Sequence, residues 1–166
     1  MRHGRRLALM VLAVLAAAVA QAPGSMRAPA ASPIVGTWQV AEWWVRDARS
    51  GDRAYPFGRQ PSGYYVYDGT GRVFVQVART PPAERLGDGR WRTLSQDDLR
   101  KLVERHLAYF GTYVVDPGRG VLTEHVEADL AREVMGTSRD VPYRLDGDRL
   151  ILGDSTTWQC VLMRAY

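Results

Sequence analysis

Three short breaks, Asp68-Gly69-Thr70-Gly71, Asp116-Pro117-Gly118-Arg119-Gly120 and Asp146-Gly147, each separate two runs rich in Val, Tyr, Phe, Ile and Leu. Glycine supplies positive φ, proline presets its own φ and aspartate bonds its own backbone, so each break is a turn with a physical cause. The runs they join are residues 63–67 with 72–78, 109–115 with 121–128, and 140–145 with 148–152. Strands joined this tightly must be antiparallel neighbours. Adding residues 36–46 and 156–163 gives about eight short strands in hairpin order, the pattern of an antiparallel barrel or sandwich.

The middle hairpin carries the densest polar pattern. If Val115 pairs with Val121, period-two alternation puts Tyr109, Tyr113, Thr123, His125 and Glu127 on one face, with a gap at Gly111. Phe110, Thr112, Val114, Leu122, Glu124 and Val126 then form the other face, apolar except for one acid. A Tyr, His and Glu cluster beside a glycine has the character of a polar patch within an apolar pocket. The same residues also fit an exposed polar strand face, and a slip of one residue would scramble the two sets.

Ser95-Gln96-Asp97-Asp98 opens a helix, with Ser95 as N-cap and acids in the first turn. Leu99, Leu102, Val103, His106 and Leu107 follow at helical spacing, which predicts one helix over about residues 95–107 with His106 on its apolar stripe. Residues 79–92 contain Pro81-Pro82 and Gly87-Asp88-Gly89 and read as a long loop, with Trp91 its candidate contact residue. Pro142 cannot donate a ladder hydrogen bond, so its strand is expected at an edge or with a bulge. In residues 36–46, Trp38, Val40, Glu42 and Trp44 alternate with Trp43 and Val45, so aromatic rings fall on both faces.

The first twenty residues are of another kind. Arg2, Arg5 and Arg6 precede an apolar run ending in Ala18-Val19-Ala20, the layout of a secretory signal peptide. Residues 1–20 are therefore expected to leave, 21–33 to form a flexible Ala/Pro/Ser leader, and 34–166 to fold as one domain. The signal takes three arginines and no acid, which lowers the formal charge from +4 to +1. A near-neutral mature chain lacks the basic footprint of a nucleic-acid binder, and it keeps no stable membrane span. Cys160 is the single cysteine, so an exported chain has no internal disulfide; it reads as a small buried hydrophobe, and a homodimer linked through it is the alternative to a monomer.

Gly36-Thr37-Trp38, Tyr55-Pro56-Phe57-Gly58 followed by Gly63-Tyr64, and Tyr109-Phe110-Gly111-Thr112-Tyr113 followed by His125-Val126-Glu127 together resemble the bacterial and fungal lipocalin-like domain family. The resemblance covers residues 34–152 and implies a mainly β protein, an antiparallel lipocalin-like β-barrel. It also implies that Trp38 closes the barrel base against an arginine, here Arg164. The family pattern says little about activity, and fold does not settle it.

The reading preferred on these grounds is an exported protein, periplasmic or extracellular, that holds a small, mostly apolar molecule in the barrel interior. Tyr65, Tyr67, Phe74, Tyr113, His125 and Glu127 are its expected ligand-binding residues. A small isomerase or cyclase using His125 as base with Glu127 and Tyr113 is the first alternative. A filled barrel with a structural or protein-interaction role is the second. No phosphate loop, nucleophile elbow, CxxC or HExxH occurs, and three histidines, one of them in the signal, offer little for a metal; no cofactor is expected.

Overall fold

The computed structural model describes residues 32–80, 93–130 and 134–166. The expected signal peptide, most of the leader, and the loop bearing Trp91 lie outside the described residues. Strands β1 (Gly36–Arg46), β2 (Arg53–Ala54), β3 (Ser62–Tyr67) and β4 (Arg72–Ala78) are followed by helix α1 (Gln96–Glu104). Strands β5 (His106–Asp116), β6 (Val121–Asp129), β7 (Ser138–Asp146), β8 (Arg149–Leu152) and β9 (Trp158–Ala165) complete the order. All pairings are antiparallel in the order β1-β3-β4-β5-β6-β7-β8-β9, and β9 returns to β1. The result is a closed eight-strand barrel, with β2 an extra short strand on β1. Among the described residues no helix is long and apolar enough to cross a membrane.

The base of the barrel is tied by three residues. Trp38 and Arg164 sit opposite each other on β1 and β9, and the guanidinium lies 4.2 Å over the indole ring. Arg164 also donates from Nη1 to the Val35 carbonyl at 3.1 Å and from Nη2 to the Pro33 carbonyl at 2.8 Å. Trp38 Nε1 donates to the Ile34 carbonyl at 2.8 Å. A Cβ on Gly36 would stand 2.6 Å from Arg164 Nη1, so only glycine lets the arginine reach those carbonyls. The Gly36-Thr37-Trp38 run is thus accounted for by local packing.

The register of the central hairpin differs from the expected one. Asp116, not Val115, pairs with Val121, and Val115 pairs with Leu122. The turn has four residues, because Asp116 closes the ladder while its carboxylate accepts from the Arg119 N–H at 3.0 Å and Gly120 takes φ 64°. That slip turns Leu122, Glu124 and Val126 inward beside Tyr109 and Tyr113, and turns Thr123, His125 and Glu127 outward. In the expected register two ionisable side chains would be buried and two large apolar ones exposed.

Other departures follow from the same packing. Val73, Val75 and Val77 take the interior side of β4, so Phe74 faces outward and is 47% exposed. A bulge between Val40 and Glu42 shifts β1 against β9, which sets Trp43 opposite Cys160 and leaves Trp44 fully buried beneath Arg53, whose guanidinium lies 4.2 Å from its ring. Helix α1 ends at Glu104, shorter than expected and with no buried residue; His106 and Leu107 begin β5 instead. Pro142 is not on an edge strand, since β7 lies between β6 and β8. Its carbonyl accepts from Gly153 N, one residue past the end of β8, so its missing donor falls beyond the ladder.

A second bulge separates Phe110 from Gly111 in the β5–β6 ladder: Gly111 pairs with Val126, but Phe110 pairs with Ala128. A Cβ at Gly111 would meet the His125 carbonyl oxygen at 1.9 Å and the Glu127 N at 3.1 Å, all backbone. Gly111→Ala is therefore expected to destabilise the fold by on the order of 2–4 kcal/mol, read as a lower urea midpoint. A midpoint unchanged from the parent would show that the two strands do not approach this closely.

Candidate functional site

Inside the barrel the apolar lining is interrupted at one place. Glu124, in the middle of β6, pairs with Tyr113 of β5 and Arg139 of β7, and its side chain is 1% exposed. A carboxylate buried this far is tolerated only when donors replace its water. Four do. Tyr67 Oη donates to Oε1 at 2.9 Å; Tyr109 Oη donates to Oε2 at 2.9 Å; Arg139 Nε and Nη2 donate to Oε2 at 3.1 and 2.8 Å. The Arg139 guanidinium also lies 4.8 Å over the Tyr109 ring.

Sequence periodicity brings these groups together. Tyr67 ends β3, Tyr109 is on β5 and Arg139 is the second residue of β7, each at an inward position of its own strand. Tyr65 packs against Tyr67 and Tyr109 with ring centroids 6.3 and 6.5 Å apart, and Tyr67 against Tyr113 at 5.0 Å. Tyr113 Oη donates to the Asp68 carbonyl at 2.7 Å and so belongs to the turn, not to the carboxylate.

Electrostatics favour the neutral phenols and thiol of the cluster and the charged guanidinium. Burial holds the Tyr67 and Tyr109 phenols well above the usual tyrosine range, and the Glu124 charge adds to it. Tyr65 is raised in the same way, by burial first and then by Tyr109 and Cys160. Burial also pushes the Cys160 thiol up, so it is no thiolate nucleophile. For Arg139 burial opposes the charge, but Tyr109 and Glu124 outweigh it and its pKa is raised. The cluster can hold and orient a polar group. Its carboxylate already accepts four hydrogen bonds.

A profile of the lipocalin-like domain matches residues 35–163. The chain belongs to the lipocalin-like domain family. No curated protein matches this lipocalin-like chain. Among solved structures, it is similar to an uncharacterized protein from Bacteroides eggerthii DSM 20697, at 10% identity and a TM-score of 0.42, over 79% of this chain and 98% of that one.

In this lipocalin-like barrel the residues named from the sequence divide between two faces. Tyr65, Tyr67 and Tyr113 are interior. Phe74, His125 and Glu127 are not: His125 Nδ1 bonds Ser138 Oγ at 3.0 Å on the outside, and Glu127 pairs with Arg72 at 2.9 Å. The set His125, Glu127 and Tyr113 therefore does not converge, because the one-residue slip carries two of its members through the wall. Glu124, Tyr109 and Arg139 were not chosen from the sequence as binding residues. The signal for Glu124 was present as an acid between Leu122 and Val126 on an apolar alternation. Among the described residues no group of three or more His, Cys, Asp or Glu stands together to hold a metal.

The raised phenols give a pH signature. The fold prefers neutral phenols, so their contribution is complete below the ordinary tyrosine pKa of about 10 and is lost as pH rises above it. Stability should fall from about pH 10 upward by about 1.4 kcal/mol per pH unit for each buried phenol. Urea unfolding across that range tests it, with Tyr65→Phe expected to remove about one third of the slope produced by Tyr65, Tyr67 and Tyr109. A slope equal in the variant and the parent would mean that the Tyr65 phenol reaches solvent.

Proposed function

We propose that this is an exported lipocalin-like binding protein whose barrel receives one small, mostly apolar molecule, with the molecule's acceptor group meeting Arg139. The observation that carries the reading is a cation held from behind by a fully buried carboxylate while its own side chain stays 41% exposed. Arg139 is inward-facing and near the start of β7, at the end of the barrel opposite the Trp38–Arg164 base. A charge fixed in this way is a pre-organised donor, since Glu124 and Tyr109 set its orientation before any ligand arrives.

The surroundings at that end support an apolar body for the ligand. Trp43 packs on Phe57 and Trp158, with ring centroids 4.7 and 6.5 Å apart, and Leu107 and Val134 are partly buried against the same core. Among the described residues, Trp43 Nε1 is buried without a hydrogen-bond partner, as is Trp44 Nε1. An orphaned indole donor is costly, about 1–3 kcal/mol, unless something supplies an acceptor. The second reading, a solid barrel acting through its surface, is favoured by the close packing of Trp38, Tyr65, Tyr67, Tyr109 and Tyr113 within the core.

Native mass spectrometry of protein made with its leader and purified gently decides between them. The expected result is a chain beginning at Gln21 that carries one small molecule, whose occupancy falls by about tenfold in Arg139→Leu. A chain without bound mass, or the same bound mass in the variant, sinks the interior-binding reading. The same spectrum reads monomer against homodimer.

A further inference from the structure

An arginine carries its N–H donors in a rigid planar fork, one on Nε and a pair on each terminal nitrogen. At Arg139, Nε and Nη2 each give one hydrogen to Glu124 Oε2, at 3.1 and 2.8 Å. That uses the edge of the guanidinium formed by Nε and Nη2. Among the described residues nothing accepts from Nη1 or from the second hydrogen of Nη2. The terminal edge therefore keeps two parallel donors, one on each nitrogen. The used edge lies on a carboxylate that is 1% exposed and one face lies 4.8 Å over the Tyr109 ring, yet the Arg139 side chain is 41% exposed.

We infer that the molecule received at Arg139 is a monocarboxylic acid, bound as its carboxylate with both oxygens on that terminal edge. This rests on the interior-binding reading above and gives it a chemical class. Two parallel N–H groups match two oxygens held in one plane, and bonds between two charged partners are the strong ones. A ketone or an alcohol offers one oxygen to the pair, and a primary amide turns a donor toward a donor. An exposed ion pair is ordinarily worth little, because two flexible side chains must be held in one geometry. Here Glu124 and Tyr109 hold the guanidinium beforehand, so only the ligand is left to order.

Glu124 also limits how much charge the ligand brings. Its charge and that of Arg139 cancel, and burial keeps the Tyr65, Tyr67 and Tyr109 phenols neutral. A carboxylate adds a single negative charge to this cluster. A phosphate ester adds up to two, close to a carboxylate that already lies in the core, where like charges repel more strongly than in water. The fork thus favours a flat monoanion over a tetrahedral dianion. The rings at this end of the barrel, Trp43, Phe57 and Trp158, suit an apolar body behind the head group.

The test titrates phenylacetate, phenethyl alcohol and benzyl phosphate into isotopically labelled protein made with its leader. It follows by NMR the Arg139 Nε–H signal, which Arg139→Lys identifies by its loss. Phenylacetate is expected to shift that signal saturably and to bind about tenfold more tightly than the alcohol or the phosphate ester. Arg139→Lys keeps the charge without the fork, and calorimetry should show phenylacetate bound about tenfold more weakly than by the parent. Should that variant not fold, Glu124→Gln with Arg139→Met removes both charges together and is expected to lose the preference for phenylacetate over the alcohol. Equal affinity for the alcohol, tighter binding of the phosphate ester, no saturable shift with phenylacetate, or parent-like affinity in Arg139→Lys overturns the proposal. So does a molecule released from the native complex that has no carboxyl group, a result that leaves interior binding standing; a native chain without bound mass overturns both.

Discussion

Closure is the constraint from which the rest follows. An eight-strand sheet has no free edge only if β1 serves two neighbours, β3 over its first residues and β9 along nearly its whole length. The bulge after Val40 bends β1 enough to do both, and Arg164, stacked on Trp38 and bonded to the Pro33 and Val35 carbonyls, ties the leading segment across the seam. Once closed, a barrel of eight strands has an interior just wide enough for side chains to fill. Each inward residue then takes a fixed share of a small volume, so Val73, Val75 and Val77 leave room for Trp38, Tyr65 and Tyr67.

A buried carboxylate in such a space would normally weaken the fold, since replacing an ion pair by apolar side chains is often neutral or stabilising. Glu124 survives because it draws its donors from β3, β5 and β7 at once. The cost of misplacing any of those strands is a charge left without partners, and that penalty is steeper than the loss of an apolar contact. The carboxylate thereby selects the register of β6 against both neighbours. One group accounts for the defined direction of Arg139 while 41% of its side chain remains exposed.

The turn sequences made the strand count and order legible, and the Gly36-Thr37-Trp38 run with Arg164 made the base legible, because both depend on local residue chemistry. The central register was hidden for a specific reason. Asp116 can belong to the turn or to the strand, and the two faces of β6 each carry acids, Glu124 on one and Glu127 on the other. Hydrophobic alternation alone could not rank them. What decides is the presence of Tyr67, Tyr109 and Arg139 near one acid and of Arg72 near the other, information spread over several strands. Phe74 has the ring of a core residue, but the three valines that alternate with it take the interior side of β4. His106 and Leu107 satisfy the spacing of the helix as well as they satisfy the start of β5, so the sequence pattern does not mark where the helix ends.

The bulge at Gly111 connects the two faces. Were the β5–β6 ladder regular, Glu127 would oppose Phe110; instead the strand takes an extra residue and Ala128 opposes it. Glu127 is carried aside to Arg72, so an acid that would have stood opposite Phe110 is paired with a cation instead. The close approach of Gly111 to the His125 and Glu127 backbone permits the extra residue, and a side chain there would remove it. One glycine whose missing Cβ looked from the sequence like a gap in a pocket wall is therefore the place where β6 takes up its extra residue and sets Ala128 opposite Phe110.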